Sequence, residues 1–207
     1  MRPIEQGYES PRWTGEITDC SMPMTFDTYS VCSYNCLYCF AFFQKSHNSK
    51  GYLDRRVKCV NVEHVKRLFS ESLLSIKKNQ FSNLIRDRVT MQWGGMADGF
   101  DEYEKQYGIS LELLKFFDQI DYPLSISTKA TWFTKDSRYM NLIAKHSHNW
   151  HFKISIITAD QIKAMSIERG VDPPVERLEA IKRLSALGNH VTLRLRPYII
   201  GISKVTV

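Results

Sequence analysis

VCSYNCLYCF, residues 31–40, directly follows a run of residues that predicts the first β-strand of a sheet. Its three cysteines, Cys32, Cys36 and Cys39, have the spacing C-x3-C-x2-C and are three of the five cysteines in the chain. Three thiolates can hold three irons of a 4Fe-4S cluster and leave the fourth iron open to a substrate or cofactor. A structural zinc site is the alternative, but it usually needs four cysteine or histidine ligands in two pairs, and no second pair is visible. The spacing therefore favours a cluster with an open iron, which indicates catalysis.

Length and composition indicate one globular enzyme domain. The 207 residues can bury a sizeable core, and 43% of them are hydrophobic. The sequence contains no run of about 18 apolar residues that would span a membrane, and its N-terminus lacks the apolar core of a signal peptide. We therefore expect a cytoplasmic protein with no membrane partner, in which thiols stay reduced. The formal net charge of +6 permits an anionic partner such as nucleic acid.

Strand and helix patterns alternate along the chain, which is typical of parallel strands joined by helices. Five strands are predicted, at Met24–Val31, Arg88–Trp93, Pro123–Lys129, His151–Thr158 and Val191–Arg196. The predicted helices follow the N-cap Asn61, cover Ser110–Ile120, follow Asp136, and run from Pro173-Pro174 to Gly188. The predicted fold is α/β, a partial (βα)6-type TIM-like barrel of parallel strands that lacks its last unit. Residues 1–23 are predicted to form an N-terminal extension, and residues 24–207 a core domain that is short at its C-terminus.

Alternation along the strands assigns polar side chains to one face of the sheet. Since the apolar residues must pack against the outer helices, the polar ones point to the barrel interior: Ser125, Ser127, Lys129, Lys153, Ser155, Thr192, Arg194 and Arg196. A packed barrel core would carry Val, Ile and Leu there, so the polar lining predicts a cavity for a polar ligand. The alternative is a sheet whose polar face is open to solvent.

The cysteine spacing, with an aromatic residue on each side of the third cysteine, resembles the cluster loop of the radical S-adenosylmethionine superfamily. The resemblance implies that Cys32, Cys36 and Cys39 are the cluster ligands and that the open iron chelates S-adenosylmethionine. It also implies an electron donor of the flavodoxin or ferredoxin type. The electron cleaves the sulfonium and produces a 5'-deoxyadenosyl radical, which abstracts hydrogen from a substrate.

Further segments are similar to the spore photoproduct lyase branch of that superfamily, also labelled DNA repair photolyase-like. They include WGGM at 93–96, DGFDEYE at 98–104 and STK at 127–129, and the likeness extends over residues 25–201. The resemblance implies a lyase-like or related reaction and a cofactor site made of Gly94, Gly95, Lys129, Ser155, Arg194 and Tyr38. These residue types suit the role, since Lys129 can pair with a carboxylate, Arg194 can make a forked contact with an anion, and Tyr38 can stack near adenine.

The chain departs from that branch in two places. Met96 stands where the superfamily often has a glutamate after two glycines, which removes the usual side-chain contact. No cysteine lies between Gly94 and Glu104 to return a hydrogen atom, and Tyr103 or Tyr107 is the alternative relay. The catalytic residue is therefore unassigned.

The sequence leaves the substrate open. Branch resemblance and charge favour a nucleic-acid base, and a peptide or a small metabolite is the alternative. The aromatic and basic segment 42–58 either stacks on bases and contacts phosphates or is a solvated loop. A non-catalytic metal-binding module, with the three cysteines and His47 or His64 as ligands, is the alternative from another class. Glu168 is either a ribose contact or a solvated residue, and Cys20 and Cys59 are predicted to be unpaired thiols, Cys59 in a loop.

Overall fold

The computed structural model describes residues 4–6, 11–14, 22–42 and 56–203. Its strands are β1 (Ile4–Gln6), β2 (Arg12–Trp13), β3 (Met24–Phe26), β4 (Asn35–Cys36), β5 (Lys58–Val60), β6 (Met91–Trp93), β7 (Leu124–Thr128), β8 (Trp150–Ser155), β9 (Glu168–Arg169) and β10 (Val191–Arg194). Its helices are α1 (Val62–Leu73), α2 (Ser82–Arg86), α3 (Glu102–Tyr107), α4 (Ile109–Gln119), α5 (Ser137–Lys145), α6 (Gln161–Ile167) and α7 (Pro174–Ala186), with a 3-10 turn at Trp132–Lys135. None of the described helices has the length and apolar character that a membrane span requires.

A six-stranded sheet with the order β10-β8-β7-β6-β3-β2 forms the centre of the fold. Neighbouring strands from β3 to β10 run parallel, and β2 pairs antiparallel with β3 at one edge. The five parallel strands lie in the sheet in the same order as along the chain, as helical crossovers produce. The predicted α/β class with parallel strands is confirmed, and the partial barrel stays a prediction.

The first parallel strand is shorter than predicted. β3 ends at Phe26 because the following residues leave the sheet and pair with β5, where the N–H of Val60 donates to the carbonyl oxygen of Thr28 at 3.0 Å. The same pairing places Cys59 inside β5 with 2% exposure. The predicted loop position of Cys59 is therefore wrong, and the residue is in no disulfide.

Other boundaries differ for local reasons. β6 starts at Met91 and not at Arg88, since Arg88 has a φ of 52°, a left-handed conformation that a strand does not contain. Asn61 and Asp136 cap α1 and α5 as predicted, each accepting a bond from a backbone N–H of the first turn. Helices α2, α3 and α6 are not predicted from the sequence, because five to seven residues are too few for a clear periodic pattern.

Aromatic residues join the sheet to the helices that cover its outer face. The rings of Phe26 and Trp93, on neighbouring strands, pack edge to face at 5.1 Å, and both contact Phe117 of α4. All five residues of β7 are buried, as expected for a central parallel strand. Leu193 was expected to pack against the outer helices but is 44% exposed, because β10 is an edge strand of the described sheet.

Candidate cofactor site

A cavity of about 470 Å³ lies where the carboxyl ends of β6, β7, β8 and β10 meet the cysteine segment, residues 31–40. Its walls include the three predicted cluster ligands, Cys32, Cys36 and Cys39. They also include every residue predicted to bind S-adenosylmethionine: Gly94, Gly95, Lys129, Ser155, Arg194 and Tyr38. The volume is typical of small-molecule sites, which span about 300–1,000 Å³. The fold therefore brings nine residues from five segments of the chain to one place, and the ligand that they hold stays a prediction.

Cys36 is buried in this wall, Cys32 and Cys39 are partly exposed, and none of the three is in a disulfide. Burial, together with two nearby carboxylates, raises the pKa of Cys32 well above its usual range. Burial also raises the pKa of Cys36 to about 11, although the charge of Lys129 acts in the opposite direction. Buried thiols of this kind become thiolates when a metal supplies the positive charge. Without a metal ion, both groups are protonated thiols at neutral pH.

The spacing of the three sulfur atoms can be compared with the spacing of ligands around a single zinc ion. Tetrahedral zinc, with bonds of about 2.3 Å to sulfur, holds its sulfur ligands about 3.8 Å apart. In the described part of the chain, the sulfur atoms of Cys32, Cys36 and Cys39 do not form a set within 4.8 Å of one another. At least one pair of these sulfur atoms is therefore farther apart than the about 3.8 Å that a single tetrahedral zinc ion requires. No histidine of the described ranges lines the cavity; His64 is exposed on α1, and His47 lies outside those ranges.

Tyr38 is held by a buried chain of polar contacts. Its hydroxyl donates to Oε1 of Glu168, and Oε2 of Glu168 pairs with Nη2 of Arg177 at 2.6 Å, with both charged side chains 1% exposed. Nη1 of Arg177 donates to the carbonyl oxygen of Ser155 at 2.7 Å. These contacts connect the cysteine segment to the carboxyl end of β8. The interpretation of Glu168 as a solvated residue is wrong, since both of its oxygens have buried partners.

Backbone pairing strengthens the same connection. β4, which lies inside the cysteine segment, pairs antiparallel with β9 and places Cys36 opposite Glu168. The N–H of Leu37 donates to the carbonyl oxygen of Ile167 at 2.9 Å. Sequence reasoning missed this pairing because two-residue strands give no periodic signal.

Lys129 places a positive charge beside the cysteine segment. Its Nζ lies 5.6 Å from the centroid of the Tyr38 ring. Burial alone would lower the pKa of Lys129, but the negative charges of Cys36, Glu168 and Asp98 outweigh burial and raise the pKa above its usual range. Lys129 is therefore an ammonium ion at neutral pH, which suits it to pair with a carboxylate.

Two carboxylates that follow β6, the partly exposed Asp98 and the buried Asp101, connect the cavity walls. Asp98 accepts bonds from the backbone N–H of Lys129 and from the hydroxyl of Thr128, both at 2.7 Å. Asp101 accepts a bond from the N–H of Ser33 at 2.5 Å. Burial raises the pKa of Asp98, and burial with the charge of Asp98 raises the pKa of Asp101 to about 7. Sequence analysis assigned no role to either residue, although the acidic segment 98–104 was the signal that could have found them.

The two glycines after β6 are required by packing between strands. Gly94 has a φ of 86°, and a Cβ there would overlap the carbonyl oxygen of Ser127 in β7. A Cβ on Gly95 would lie 2.5 Å from Oγ1 of Thr25 in β3. The missing side chains make room for the neighbouring strands, while both glycines line the cavity.

Asp27 organises the turn that contains Met96, the residue in the place of the expected glutamate. Its Oδ1 accepts bonds from the N–H groups of Met96 and Ala97 at 2.8 and 3.0 Å. Its Oδ2 lies 2.5 Å from Nη2 of Arg12, which belongs to β2. Backbone groups of this turn are therefore positioned by a fully buried carboxylate, and the side chain of Met96 is left at the cavity wall.

Seven of the eight polar residues predicted to face inward line one of two cavities, and the eighth, Thr192, is exposed. Arg194, whose Nη1 lies 3.4 Å from Oγ of Ser127, and Arg196 line the cavity at the carboxyl ends of the strands. Ser125 and Lys153 line a second cavity at the amino ends of the same strands. The two arginines give the first cavity a cationic wall that suits an anionic ligand.

Some predicted residues do not reach the cavity. Tyr103 and Tyr107 stack on each other at 6.5 Å and are not among its described lining residues, whereas Tyr34 and Tyr38 are. A hydrogen relay through Tyr103 or Tyr107 is therefore not favoured by their position. Cys20 and most of the basic segment 42–58 lie outside the described residues.

Known proteins resemble the chain in fold and not in sequence. No family model and no curated protein matches it. Spore photoproduct lyase in complex with dinucleoside spore photoproduct has a TM-score of 0.64 and 14% sequence identity, covering 93% of this chain and 50% of that one. A variant of spore photoproduct lyase with bound AdoMet and dinucleoside spore photoproduct has a TM-score of 0.60 and 17% identity, covering 89% and 48%. The chain thus spans about half the length of these proteins and shares their fold.

Proposed function

We propose that this chain is a radical S-adenosylmethionine enzyme whose sheet forms a partial barrel and whose Cys32, Cys36 and Cys39 hold a 4Fe-4S cluster. The observation that carries the proposal is one cavity lined by three thiols and by all six residues expected to bind S-adenosylmethionine. Similarity of fold to spore photoproduct lyase, including a structure with AdoMet bound, supports it. When bound, the cluster supplies an electron for reductive cleavage of the sulfonium of S-adenosylmethionine.

The chain's own residues bind and orient the cofactor in this proposal. Lys129 pairs with the carboxylate, and Arg194 offers a second cationic group on the same cavity wall. Tyr38, fixed through its hydroxyl by Glu168, offers an aromatic face for the adenine. The backbone at Gly94 and Gly95 offers carbonyl groups to the methionine amino group.

Anaerobic reconstitution tests the metal assignment. We expect about four irons and four sulfides per chain, and loss of the brown chromophore in Cys32→Ala. Cys59→Ala is the matched control, since this buried cysteine lies in β5 and does not line the cavity. One tightly held zinc without sulfide, in protein made with ample iron, would contradict the cluster and favour the non-catalytic metal-binding module.

Cofactor binding tests the rest of the site. Lys129→Ala and Arg194→Ala should each weaken S-adenosylmethionine binding by about tenfold or more, because each loses a charged contact worth about 1.5–3 kcal/mol. Iron content should not change. Lys182→Ala is the control, since Lys182 is an exposed lysine of α7. Affinities equal to wild type in both variants would show that these side chains do not contact the cofactor.

We propose a nucleic-acid base as the substrate, with a peptide or a small metabolite as the alternative. Arg194 and Arg196 provide guanidinium groups suited to phosphate at the cavity, and the net charge is +6. The similar spore photoproduct lyase structures contain a dinucleoside. We also propose an electron donor of the flavodoxin or ferredoxin type and a cytoplasmic location, where the cluster and the thiols stay reduced.

Isotope transfer distinguishes the substrate classes. If a nucleic-acid base is the substrate, deuterium from a labelled oligonucleotide should appear in 5'-deoxyadenosine. Binding of single-stranded nucleic acid should also weaken as salt rises, because contacts to phosphate release counterions. Absence of transfer from every oligonucleotide, with active cleavage of S-adenosylmethionine in the same tube, would favour the peptide or the small metabolite.

A further inference from the structure

Two histidines and an aspartate meet at the amino ends of β7 and β8, away from the cofactor cavity. Asp121 lies in the turn between α4 and β7, and His146 and His148 lie in the turn between α5 and β8. One ligand atom from each of the three lies within 4.8 Å of the others. The five residues of β7 separate this cluster from the carboxyl end of the strand by about 16 Å. The cluster is therefore independent of the cysteine site.

The environment of His146 leaves one ring nitrogen facing oxygen atoms. The side chain of His146 is 6% exposed, and its Nε2 lies 2.8 Å from Oδ1 of Asp118, to which an Nε2–H would donate. Its Nδ1 faces Oδ1 of Asp121 at 3.3 Å and Oδ1 of Asn149 at 3.2 Å. The amide nitrogen of Asn149 donates to Asp121 at 2.8 Å, which fixes the orientation of that amide. A neutral imidazole carries one hydrogen, so a metal ion or a second proton must lie between Nδ1 and these two oxygens.

The distances match those of a tetrahedral metal site. Zinc bonds of about 2.0–2.2 Å to nitrogen and oxygen place tetrahedral ligands about 3.3–3.6 Å apart. Oδ1 of Asp121 lies 3.3 Å from Nδ1 of His146 and 3.6 Å from Nε2 of His148. The ring of His146 is held in place by stacking on Trp150, with centroids 4.3 Å apart and an angle of 16°. The three atoms therefore need little movement to share one ion.

We propose that Asp121, His146 and His148 form a zinc-binding site. Asp118 orients His146 through the other ring nitrogen, an arrangement that commonly accompanies metal-bound histidine. Asp121 and His148 are more than half exposed, so water can occupy the fourth position. The ion would connect the turns that lead into two neighbouring strands of the sheet and would stabilise the folded chain.

Zinc binding to the cluster-loaded, tag-free chain tests the proposal, because iron then occupies the cysteines. Bound zinc is measured by equilibrium dialysis, with the thermal midpoint as a second measurement. We expect one zinc per chain in wild type and at least tenfold weaker binding in His148→Ala and Asp121→Asn. Zinc should raise the thermal midpoint of the proteins that bind it and leave the midpoint of the other variants unchanged. His148 is exposed, so its replacement should leave the fold intact. His64→Ala, at an exposed histidine of α1, is the control and should bind zinc as wild type does.

Two results would overturn the proposal. Wild type could bind no zinc, which would exclude the site. Alternatively, His148→Ala and Asp121→Asn could both retain zinc with the affinity of His64→Ala, which would place the ion elsewhere.

Discussion

Glu168→Gln is the substitution that best tests how the cysteine segment is attached to the sheet. It removes the negative charge that pairs with Arg177 at 2.6 Å, where both side chains are 1% exposed. A buried guanidinium left without its partner costs about 3–5 kcal/mol. For a chain of 207 residues, at about 2–4 °C per kcal/mol, the thermal midpoint should fall by about 6–20 °C. Thermal unfolding of the cluster-free chain in an anaerobic, reducing buffer measures the midpoint. Urea unfolding in the same buffer, followed by tryptophan fluorescence and circular dichroism, measures the free energy of unfolding.

A second ion pair provides a matched control. Glu179 and Lys182 lie at the same distance, 2.6 Å, but their side chains are 43% and 72% exposed. Glu179→Gln should therefore cost less than about 1 kcal/mol. The double variant Glu168→Gln/Arg177→Met should recover part of the loss, since it leaves no unpaired buried charge. If Glu168→Gln is as mild as Glu179→Gln, the buried pair does not hold the segment, and the reasoning fails.

Two further predictions concern the cofactor and pH. Asp98→Asn should weaken S-adenosylmethionine binding by about tenfold, since a charge-assisted bond to the backbone of Lys129 is lost. Calorimetric titration measures the affinity. The surface variant Asp87→Asn is the control, and equal effects of the two substitutions would contradict the prediction. Burial, with a nearby histidine and lysine, lowers the pKa of His151. Below about pH 6.5, His151 therefore binds fewer protons in the folded chain than in the unfolded chain. The contribution of His151 to the free energy of unfolding should therefore fall as pH drops from 7 to 5, whereas the raised pKa of Asp101 acts in the opposite direction. Comparing the pH dependence of His151→Gln with that of wild type isolates the histidine, and His64→Ala should match wild type; equal slopes in all three proteins would show that His151 contributes nothing.

Local patterns of the sequence predicted the order of the elements and the lining of the cavity. Alternation within β7 separates Leu124 and Ile126, buried in the core, from Ser127 at the cavity. The N-caps Asn61 and Asp136 are recognisable because capping depends on residues next to each other in the chain. Since parallel strands place their carboxyl ends together, residues that follow different strands could be assigned to one site before the structure was known.

The contacts of Glu168 could not be predicted in the same way. Tyr38 is 130 positions away from Glu168 along the chain, and no local pattern relates them. The burial of Glu168 with Arg177 depends on how α7 packs on β8, which is a property of the folded chain. From the sequence, a glutamate followed by an arginine is typical of a solvated turn. The site was therefore predictable where it depends on strand order and not where it depends on buried charge.

Three acidic residues after β6, spaced three positions apart, bind backbone groups of different elements near the cavity. Asp98 accepts bonds from the end of β7 at Lys129, and Asp101 accepts one from the cysteine segment at Ser33. Glu104 accepts bonds from the N–H groups at the start of α4, at 2.7 and 2.8 Å. Each acid thus holds a different element, and all three are buried or nearly so. Because one short turn carries contacts to both Lys129 and Ser33, it contributes to the distance between the cationic group and the thiols, together with the contacts of Glu168. An inserted residue between Asp98 and Asp101 would move these two walls of the cavity relative to each other.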